Sequence, residues 1–227
     1  MKVSIEKTAD GSPTLYREDI DEHYHSVKGA VAESRHVYVE TGWRKAAESK
    51  SAVRVFEVGF GTGLNAALTA DAALEAAVPT EYYSVELHPL SGPVTELFSE
   101  GLPAQLRDIL RAVNAAPWQQ STIVNPYFTL HKIEADLLNM QLPAPLDVIY
   151  YDAFAPEKQP EMWDESIFRR LHAAMSPAAI LTTYCAKGAI RRMLNAVGLL
   201  TERLPGPPSG KREILRATLP VSLPSDI

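Results

Sequence analysis

The sequence of 227 residues predicts an α/β protein with a mostly parallel sheet, helices on both faces and a C-terminal antiparallel hairpin. Apolar strand-like segments alternate with helical patterns, which is typical of a parallel sheet. A glycine-rich turn directly follows the first strand of that series. The chain then closes with two strand-like segments joined by a loop rich in Gly and Pro, which indicates a terminal hairpin.

Residues 1–45 are expected to form an N-terminal appendage made of a hairpin and a helix. Segments 2–7 and 14–18 flank Asp10-Gly11, a dipeptide typical of hairpin turns. A helical pattern then runs from about Lys28 to Glu40. Residues 46–227 are predicted to be one domain, since no repeat, low-complexity tract or strong linker interrupts them.

Strands and helices alternate through that domain, and the helix at 63–77 is rich in Ala and Leu. The predicted strands are 53–58, 80–86, 127–133, 146–151, 178–184, 199–204 and 212–219, and the predicted helices are 63–77, 89–100, 103–114, 160–175 and 187–197.

The composition excludes several classes of protein. With 46% hydrophobic and 22% charged residues the chain is neither collagen-like, nor a coiled coil, nor disordered as a whole. No run of 18 apolar residues predicts a membrane helix, and the N-terminus lacks the apolar core of a secretion signal. The single cysteine, Cys185, cannot form an internal disulfide. We therefore expect a cytoplasmic protein without a membrane segment or a metal site.

The net charge of −6 argues against a broad nucleic-acid surface. The charge is uneven, because residues 1–150 are acidic on balance while residues 151–227 carry a small basic excess. An anionic partner would therefore bind the C-terminal third, although a solvated surface would show the same pattern.

The glycine-rich turn, EVGFGTGLN at 57–65, is the sharpest local motif. Gly59, Gly61 and Gly63 permit a tight turn and a close approach of a ligand to the backbone. The spacing differs from the G-x-G-x-x-G of dinucleotide sites. A carboxylate at Glu57 would repel a pyrophosphate but suit the cationic amino-acid end of S-adenosylmethionine. A turn that is tight for packing alone is the alternative.

Two further acids are placed to support such a cofactor. Glu86 ends the second strand of the domain, where it would accept hydrogen bonds from ribose hydroxyls. Asp136 follows the next strand and would receive the adenine amino group. The alternatives are a solvated strand end for Glu86 and a helix N-cap for Asp136.

Asp152 ends the apolar strand LDVIYY and precedes a loop punctuated by Pro. At the carboxyl edge of the sheet its carboxylate would lie beside the cofactor's methyl group, where it could hold and deprotonate an amine. The alternative is a turn cap. Phe154, Pro156 and Trp163 would wall a substrate pocket, unless they belong to the core.

Four motifs together resemble one enzyme family. EVGFGTGLN, YYDAFAPEKQPEMW, TYCAKGAIRRML and LPGPPSGKREILRA are similar to the methyltransferases that complete 5-methylaminomethyl-2-thiouridine at the wobble position of tRNA. The N-terminal stretch agrees through Asp21, Tyr24, Ser26 and Glu33, so the resemblance covers roughly residues 20–217. The chain resembles the stand-alone form of the family, which lacks an FAD-dependent oxidase domain.

The resemblance implies a class I (Rossmann-like) methyltransferase fold, S-adenosylmethionine as cofactor and the anticodon stem-loop of tRNA as partner. It also implies a functional link to a separate FAD-dependent oxidase or to the enzymes that make the aminomethyl group. Asp152 would contact the acceptor amine, and no metal is implied. The expected cofactor-binding residues are Glu57, Gly59, Phe60, Gly61, Gly63, Asn65, Glu86 and Asp136, and the expected substrate- and RNA-binding residues are Phe154, Pro156, Lys187, Lys211 and Arg212.

The basic residues of the C-terminal third could bind RNA or simply form a solvated surface. Lys187, Arg191 and Arg192, together with Arg169 and Arg170, would contribute to a basic rim for RNA. Each helix taken alone is more typical of a solvated face.

Three other functions compete with the methyltransferase. A polyamine aminopropyltransferase shares the fold but needs several acids around its diamine, and the loop after Asp152 offers only Glu157 and Glu161. A catalytically silent RNA-binding module would have no use for Asp152. A nicotinamide dehydrogenase is disfavoured by Glu57 and the glycine spacing.

Overall fold

A computed structural model describes residues 2–208, 210 and 212–221 of the chain. It begins with a small antiparallel sheet of β1 (Val3–Lys7), β2 (Pro13–Arg17) and β3 (Glu22–His23). The predicted hairpin around Asp10-Gly11 is confirmed: Gly11 has a φ of 84°, and the Asp10 carboxylate accepts from the backbone N–H of Ser12. The short third strand was not predicted.

A continuous helical stretch follows, from Ala30 to Ala47, longer than the sequence predicts. It consists of α1 (Ala30–Ser34), a π-helical segment (Arg35–Arg44) and α2 (Lys45–Ala47). Val27 precedes this stretch and is 49% exposed, so it does not contribute to the buried face of the helix.

An eight-stranded sheet forms the centre of the fold, in the order β10-β11-β9-β8-β4-β5-β7-β6. The five central strands are parallel, whereas β6 and β11 run against their neighbours. The predicted parallel sheet and C-terminal hairpin are confirmed. The strands are β4 (Val53–Val58), β5 (Thr80–Glu86), β6 (Ser121–Asn125), β7 (Phe128–Glu134), β8 (Leu146–Tyr151), β9 (Met175–Thr183), β10 (Leu200–Pro205) and β11 (Glu213–Thr218).

Helices cover both faces of the sheet, and each face has its own apolar core. In β8, Val148 and Tyr150 point to one core while Ile149 and Tyr151 point to the other, which explains the unbroken apolar run of this strand. The helices are α3 (Leu64–Ala76), α4 (Gly92–Glu100), α5 (Ala104–Ala115), α6 (Glu165–Ala174) and α7 (Gly188–Ala196).

The structure differs from the predicted elements in two places. β6 was missed because it is an edge strand whose Ile123 is 76% exposed, so it shows no apolar alternation. The predicted helix at 160–175 is divided into a 3₁₀ turn (Pro160–Trp163) and α6, because the Asp164 side chain caps the backbone N–H of Ser166 and starts a new helix there. Met175 already belongs to β9.

Candidate active site

A cavity of about 590 Å³ opens at the carboxyl ends of the parallel strands. The glycine turn after β4, the end of β5, the turn after β7 and the loop after β8 all contribute to its wall, together with the segment around β3. Eight predicted site residues line it: Gly59, Phe60, Gly61, Asn65, Glu86, Asp136, Asp152 and Phe154. The topology therefore brings together residues that lie almost 100 positions apart in the chain.

The glycine turn is tight because its backbone meets neighbouring atoms at close range. Gly59 has a φ of 90°, and a Cβ there would lie 2.9 Å from the carbonyl oxygen of Asp152. Gly61 has a φ of 51°, and a Cβ there would lie 3.1 Å from the ring of Tyr24. Only glycine adopts these conformations without strain and avoids close contacts with the Asp152 backbone and the Tyr24 ring.

Glu86 is held against this turn by the backbone. Its Oε2 accepts the N–H of Gly61 at 3.1 Å, and its Oε1 accepts the N–H of His88 at 2.9 Å. Asp136 lies across the cavity, where its oxygens accept from the backbone N–H of Leu138 and from Asn139 Nδ2. Residues 137–139 form a turn and not a helix, so the helix N-cap alternative is wrong. The Asp136 side chain caps that turn, and its position on the cavity wall is compatible with a second role.

Glu57 lies elsewhere than predicted. Its side chain is fully buried beneath the cavity wall and accepts from Ser84 Oγ at 2.6 Å. Burial raises the pKa of Glu57 to about 8, so the side chain is mostly protonated at neutral pH. Desolvation disfavours the negative charge on which the predicted selection of the ligand by Glu57 depends, and the side chain does not line the cavity.

Asp152 lies where β8 meets the glycine turn, and its backbone N–H bonds to the carbonyl of Val58 at 3.1 Å. Its Oδ2 accepts from Asn65 Nδ2 at 2.8 Å, and its Oδ1 accepts from the hydroxyl of Tyr38 at 2.5 Å. Asn65 thus links the glycine turn directly to the predicted acceptor-binding carboxylate. Tyr38 was not predicted at the site, because in the sequence it is one apolar residue of a helical stripe.

The loop after β8 is held by side chains beneath it. Trp163 Nε1 donates to the carbonyl of Phe154 at 2.7 Å, and the hydroxyl of Tyr184 donates to that of Ala153 at 2.9 Å. Trp163 is buried in the core, so it supports the loop and does not wall the pocket as predicted. Pro156 does not line the cavity either.

The segment around β3 closes one side of the cavity with residues that were not assigned to the site. The ring of Tyr24 covers Gly61 and meets Phe154 edge-on, with the ring centroids 5.1 Å apart. The guanidinium of Arg17 lies 5.7 Å from the centroid of the Phe154 ring. The motif around Tyr24 was the only sequence signal for this contribution.

Not all predicted RNA-binding residues are available for RNA. Lys187 forms an exposed ion pair with Glu157. Arg169 forms a similar exposed ion pair with Glu165. Arg170 donates to the carbonyls of Leu137 and Leu138, so the expectation that Arg170 belongs to a basic rim is wrong.

Arg212 is exposed at the start of β11, and its carbonyl accepts from the N–H of Gly206 at 3.0 Å. Lys211 lies outside the described residues.

Across the described part of the chain, no set of three or more His, Cys, Asp and Glu side chains could hold a metal ion. Within the same residues, no helix combines the length and the apolar character that crossing a membrane requires.

Comparison with known proteins agrees with this geometry. Residues 113–220 match the profile of a family described as S-adenosyl-L-methionine-dependent methyltransferase. The crystal structure of MnmC2 from Aquifex aeolicus is similar over 98% of this chain and 72% of its own, with a TM-score of 0.77 and 24% identity. Spermidine synthase from Thermotoga maritima shares the fold at a TM-score of 0.60 and 13% identity, over 97% of this chain and 70% of its own.

The sheet order, the glycine turn and these matches define the class I (Rossmann-like) fold of S-adenosylmethionine-dependent methyltransferases, as predicted. The matched family depends on S-adenosylmethionine, and the cavity that Gly59, Gly61 and Glu86 line fits that cofactor.

Within this class, the resemblance found in the four motifs is confirmed by the relatives named MnmC. The tRNA 5-methylaminomethyl-2-thiouridine biosynthesis bifunctional protein MnmC of Pseudomonas savastanoi pv. phaseolicola is 33% identical over 92% of this chain. Its counterpart in Ralstonia nicotianae is 30% identical over 87%. The chain spans about a third of the length of these relatives, 34% and 31% respectively.

Proposed function

We propose that the protein methylates the 5-aminomethyl group of 5-aminomethyl-2-thiouridine at the tRNA wobble position, which yields 5-methylaminomethyl-2-thiouridine. The observation that carries the proposal is the position of Asp152, in the same cavity as the glycine turn and bonded to it through Asn65. A carboxylate beside the methyl donor suits an amine acceptor, and the relatives' names point to the same product.

On the cofactor side, Glu86 would bind the ribose hydroxyls and Asp136 the adenine amino group, while Gly59 and Gly61 would let the cofactor approach the backbone. Gly63 does not line the cavity; its lack of a side chain makes room for Phe60 and Val113 behind the wall. Phe60 and Asn65 would complete this wall. Glu57 would act from beneath the turn, as a mostly neutral group that supports it through Ser84.

S-adenosylmethionine supplies an electrophilic methyl group when it is bound. The acceptor nitrogen forms a bond to the methyl carbon with its lone pair, while the carbon–sulfur bond breaks and its electrons stay on sulfur. Because an aminomethyl group is largely protonated in neutral water, Asp152 would first attract the ammonium and then accept or relay its proton. Most of the rate would come from holding the two reactants in line.

The base itself would enter between aromatic side chains. Sequence-specific RNA recognition commonly uses an unstacked base that packs on aromatic rings or on arginine. Phe154, Tyr24 and Arg17 form such a group on the cavity wall. Lys187, Lys211 and Arg212 would then contact phosphates of the anticodon stem-loop, with Lys187 leaving its ion pair to do so.

The proposed function also implies which enzymes act before this one and where in the cell the protein works. The substrate amine must be made by another enzyme, so we infer a functional link to a separate FAD-dependent oxidase or to the enzymes that install the aminomethyl group. A cytoplasmic location follows from a tRNA substrate. The division into an appendage at 1–45 and a catalytic domain at 46–227 stays a prediction.

Mass spectrometry of tRNA nucleosides tests this function. The protein is incubated with labelled S-adenosylmethionine and tRNA that carries 5-aminomethyl-2-thiouridine, and the label is expected in 5-methylaminomethyl-2-thiouridine. Bulk tRNA without the aminomethyl group serves as the control and should remain unlabelled. If the cofactor binds but no wobble nucleoside gains the label, the proposed acceptor is wrong.

One observation favours a second candidate, polyamine aminopropyl transfer. The cavity is more acidic than the loop after Asp152 suggested, because Glu22 and Glu33 line it in addition to Glu161. Such charges suit a diamine. Incubation with putrescine and decarboxylated S-adenosylmethionine distinguishes the two, and we expect no spermidine because Arg17 and Lys158 share the same cavity and repel a dication.

A further inference from the structure

A residue from outside the central sheet contacts the carboxylate that the proposed chemistry uses. The hydroxyl of Tyr38 donates to Asp152 Oδ1 at 2.5 Å, and Asn65 Nδ2 donates to Oδ2 at 2.8 Å. Because the two donors approach different oxygens, they determine the plane of the carboxylate. Hydrogen bonds to a charged acceptor are stronger than those between neutral groups, so this orientation is well held.

The position of Tyr38 is rigid. The side chain is only 2% exposed, and its ring packs 5.2 Å from the ring of Tyr150. It lies on the π-helical segment Arg35–Arg44, which rests on the sheet so closely that a Cβ at Gly42 would be 3.1 Å from the Tyr150 ring. π-Helical turns are rare and are often found at functional sites, where they shift the direction of a side chain.

Tyr38 also stays a donor at any pH of interest. Burial, and then the nearby charge of Asp152, raise the pKa of Tyr38 far above its ordinary value. The hydroxyl therefore keeps its proton and acts as the donor in its hydrogen bond to Asp152.

We propose that Tyr38 is a positioning residue for Asp152, whose carboxylate it holds in the orientation that receives the acceptor amine. The inference rests on the proposed function. In the transfer, the nitrogen lone pair must point at the methyl carbon while an N–H of the amine points at Asp152. A carboxylate that rotates freely satisfies both conditions in only a fraction of complexes, and misalignment lowers the rate steeply.

The variant Tyr38→Phe removes one oxygen and keeps the ring. We expect kcat to fall about 10-fold, the usual scale for a lost hydrogen bond to a charged group, while the affinity for S-adenosylhomocysteine stays unchanged. Tyr150→Phe is the matched control, because Tyr150 is equally buried and touches the Tyr38 ring, but its hydroxyl pairs with Thr69 Oγ1. This control should keep the wild-type kcat.

A second measurement needs no turnover. With S-adenosylhomocysteine bound, we compare the affinities for anticodon stem-loops that carry 5-aminomethyluridine or plain uridine. The wild type should prefer the amine, Tyr38→Phe should lose several-fold of that preference, and Tyr150→Phe should keep it. If thermal unfolding shows that Tyr38→Phe is not folded, Asn65→Ala removes the other donor and should give the same loss of preference.

The outcomes separate the two proposals. An active wild type together with an equally active and equally selective Tyr38→Phe overturns the inference alone. Equal losses in Tyr38→Phe and Tyr150→Phe also overturn it, because they would reflect packing. A wild type that transfers no methyl group to the aminomethyl tRNA overturns the proposed function.

Discussion

Asp152 is the residue whose charge the proposed chemistry depends on most directly. The variant Asp152→Asn keeps the shape but removes both the charge and the basicity. Its amide oxygen can still accept from Tyr38 or from Asn65, but its NH₂ group would face the remaining donor. We predict a loss of about 100-fold or more in kcat, the scale of a positioned acid–base group, measured as single-turnover methylation of aminomethyl tRNA.

The pH dependence of that loss shows what Asp152 does. At high pH the amine loses its proton unaided, so a role in proton removal predicts that the deficit of Asp152→Asn shrinks there. A deficit that is constant with pH would assign Asp152 to positioning only. Near-wild-type turnover at neutral pH would remove Asp152 from the mechanism.

Glu86 is the residue whose removal should affect cofactor binding most selectively. Both of its oxygens accept backbone N–H groups at the rim of the cavity, and the proposed ribose contact adds to them. Glu86→Ala should weaken the binding of S-adenosylhomocysteine by about 1–3 kcal/mol, which calorimetry measures directly.

Glu81 offers a matched control for that measurement. It lies on the same strand but is exposed and pairs with Arg54 at 3.0 Å, away from the cavity. Glu81→Ala should bind S-adenosylhomocysteine with the affinity of the wild type. If Glu86→Ala binds S-adenosylhomocysteine as tightly as the wild type does, the ribose does not contact Glu86.

At the scale of elements, the hairpin of β10 and β11 is the part proposed to contact RNA. Replacing Lys211 and Arg212 by Ala should raise KM for tRNA and lower the slope of log affinity against log salt by about two, one for each lost phosphate contact. Cofactor affinity should not change. The measurement is tRNA binding over a series of salt concentrations.

Arg107 and Arg111 provide the control for the hairpin, because both lie on α5, where they pair with Asp108 and Glu96. Their double Ala variant removes the same charge elsewhere on the surface. If both double variants change the salt slope equally, the effect comes from net charge and not from the hairpin.

At the scale of the whole molecule, two buried groups give the unfolding free energy opposite pH dependences. The pKa of Glu57 rises from 4.5 to about 8, so between these values the native state keeps a proton that the unfolded chain releases, and stability falls as pH rises. The pKa of His25 falls from 6.5 to about 4, so stability rises with pH in that range. The two effects oppose each other from about 4.5 to 6.5, and above 6.5 only that of Glu57 remains.

The variant Glu57→Gln should therefore gain stability relative to the wild type as pH rises from 6.5 to 8. Urea unfolding at these two pH values measures the difference. The exposed variant Glu81→Gln should show no such trend. Parallel pH profiles for Glu57→Gln and the wild type would mean that Glu57 does not retain its proton in the native state.

The order of strands and helices, the glycine turn and the positions of Glu86, Asp136 and Asp152 followed from the sequence alone. These are local properties: apolar runs of fixed length, glycines between a strand and a helix, and acids at strand ends. Because parallel strands end at one edge of a sheet, their terminal residues meet without further information. The edge strand β6 was not predicted, because its side chains are exposed or partly exposed and show no alternation of apolar and polar residues.

Only the tertiary structure decided the state and the partners of the site's side chains. Burial raises the pKa of Glu57 beneath the cavity. Arg170 donates to backbone carbonyls, so it stabilises the fold and is not free to bind RNA. Tyr38 reached Asp152 across 114 positions of the sequence. Desolvation and contacts between distant segments depend on how the chain packs in three dimensions, and no local pattern of residue types records them.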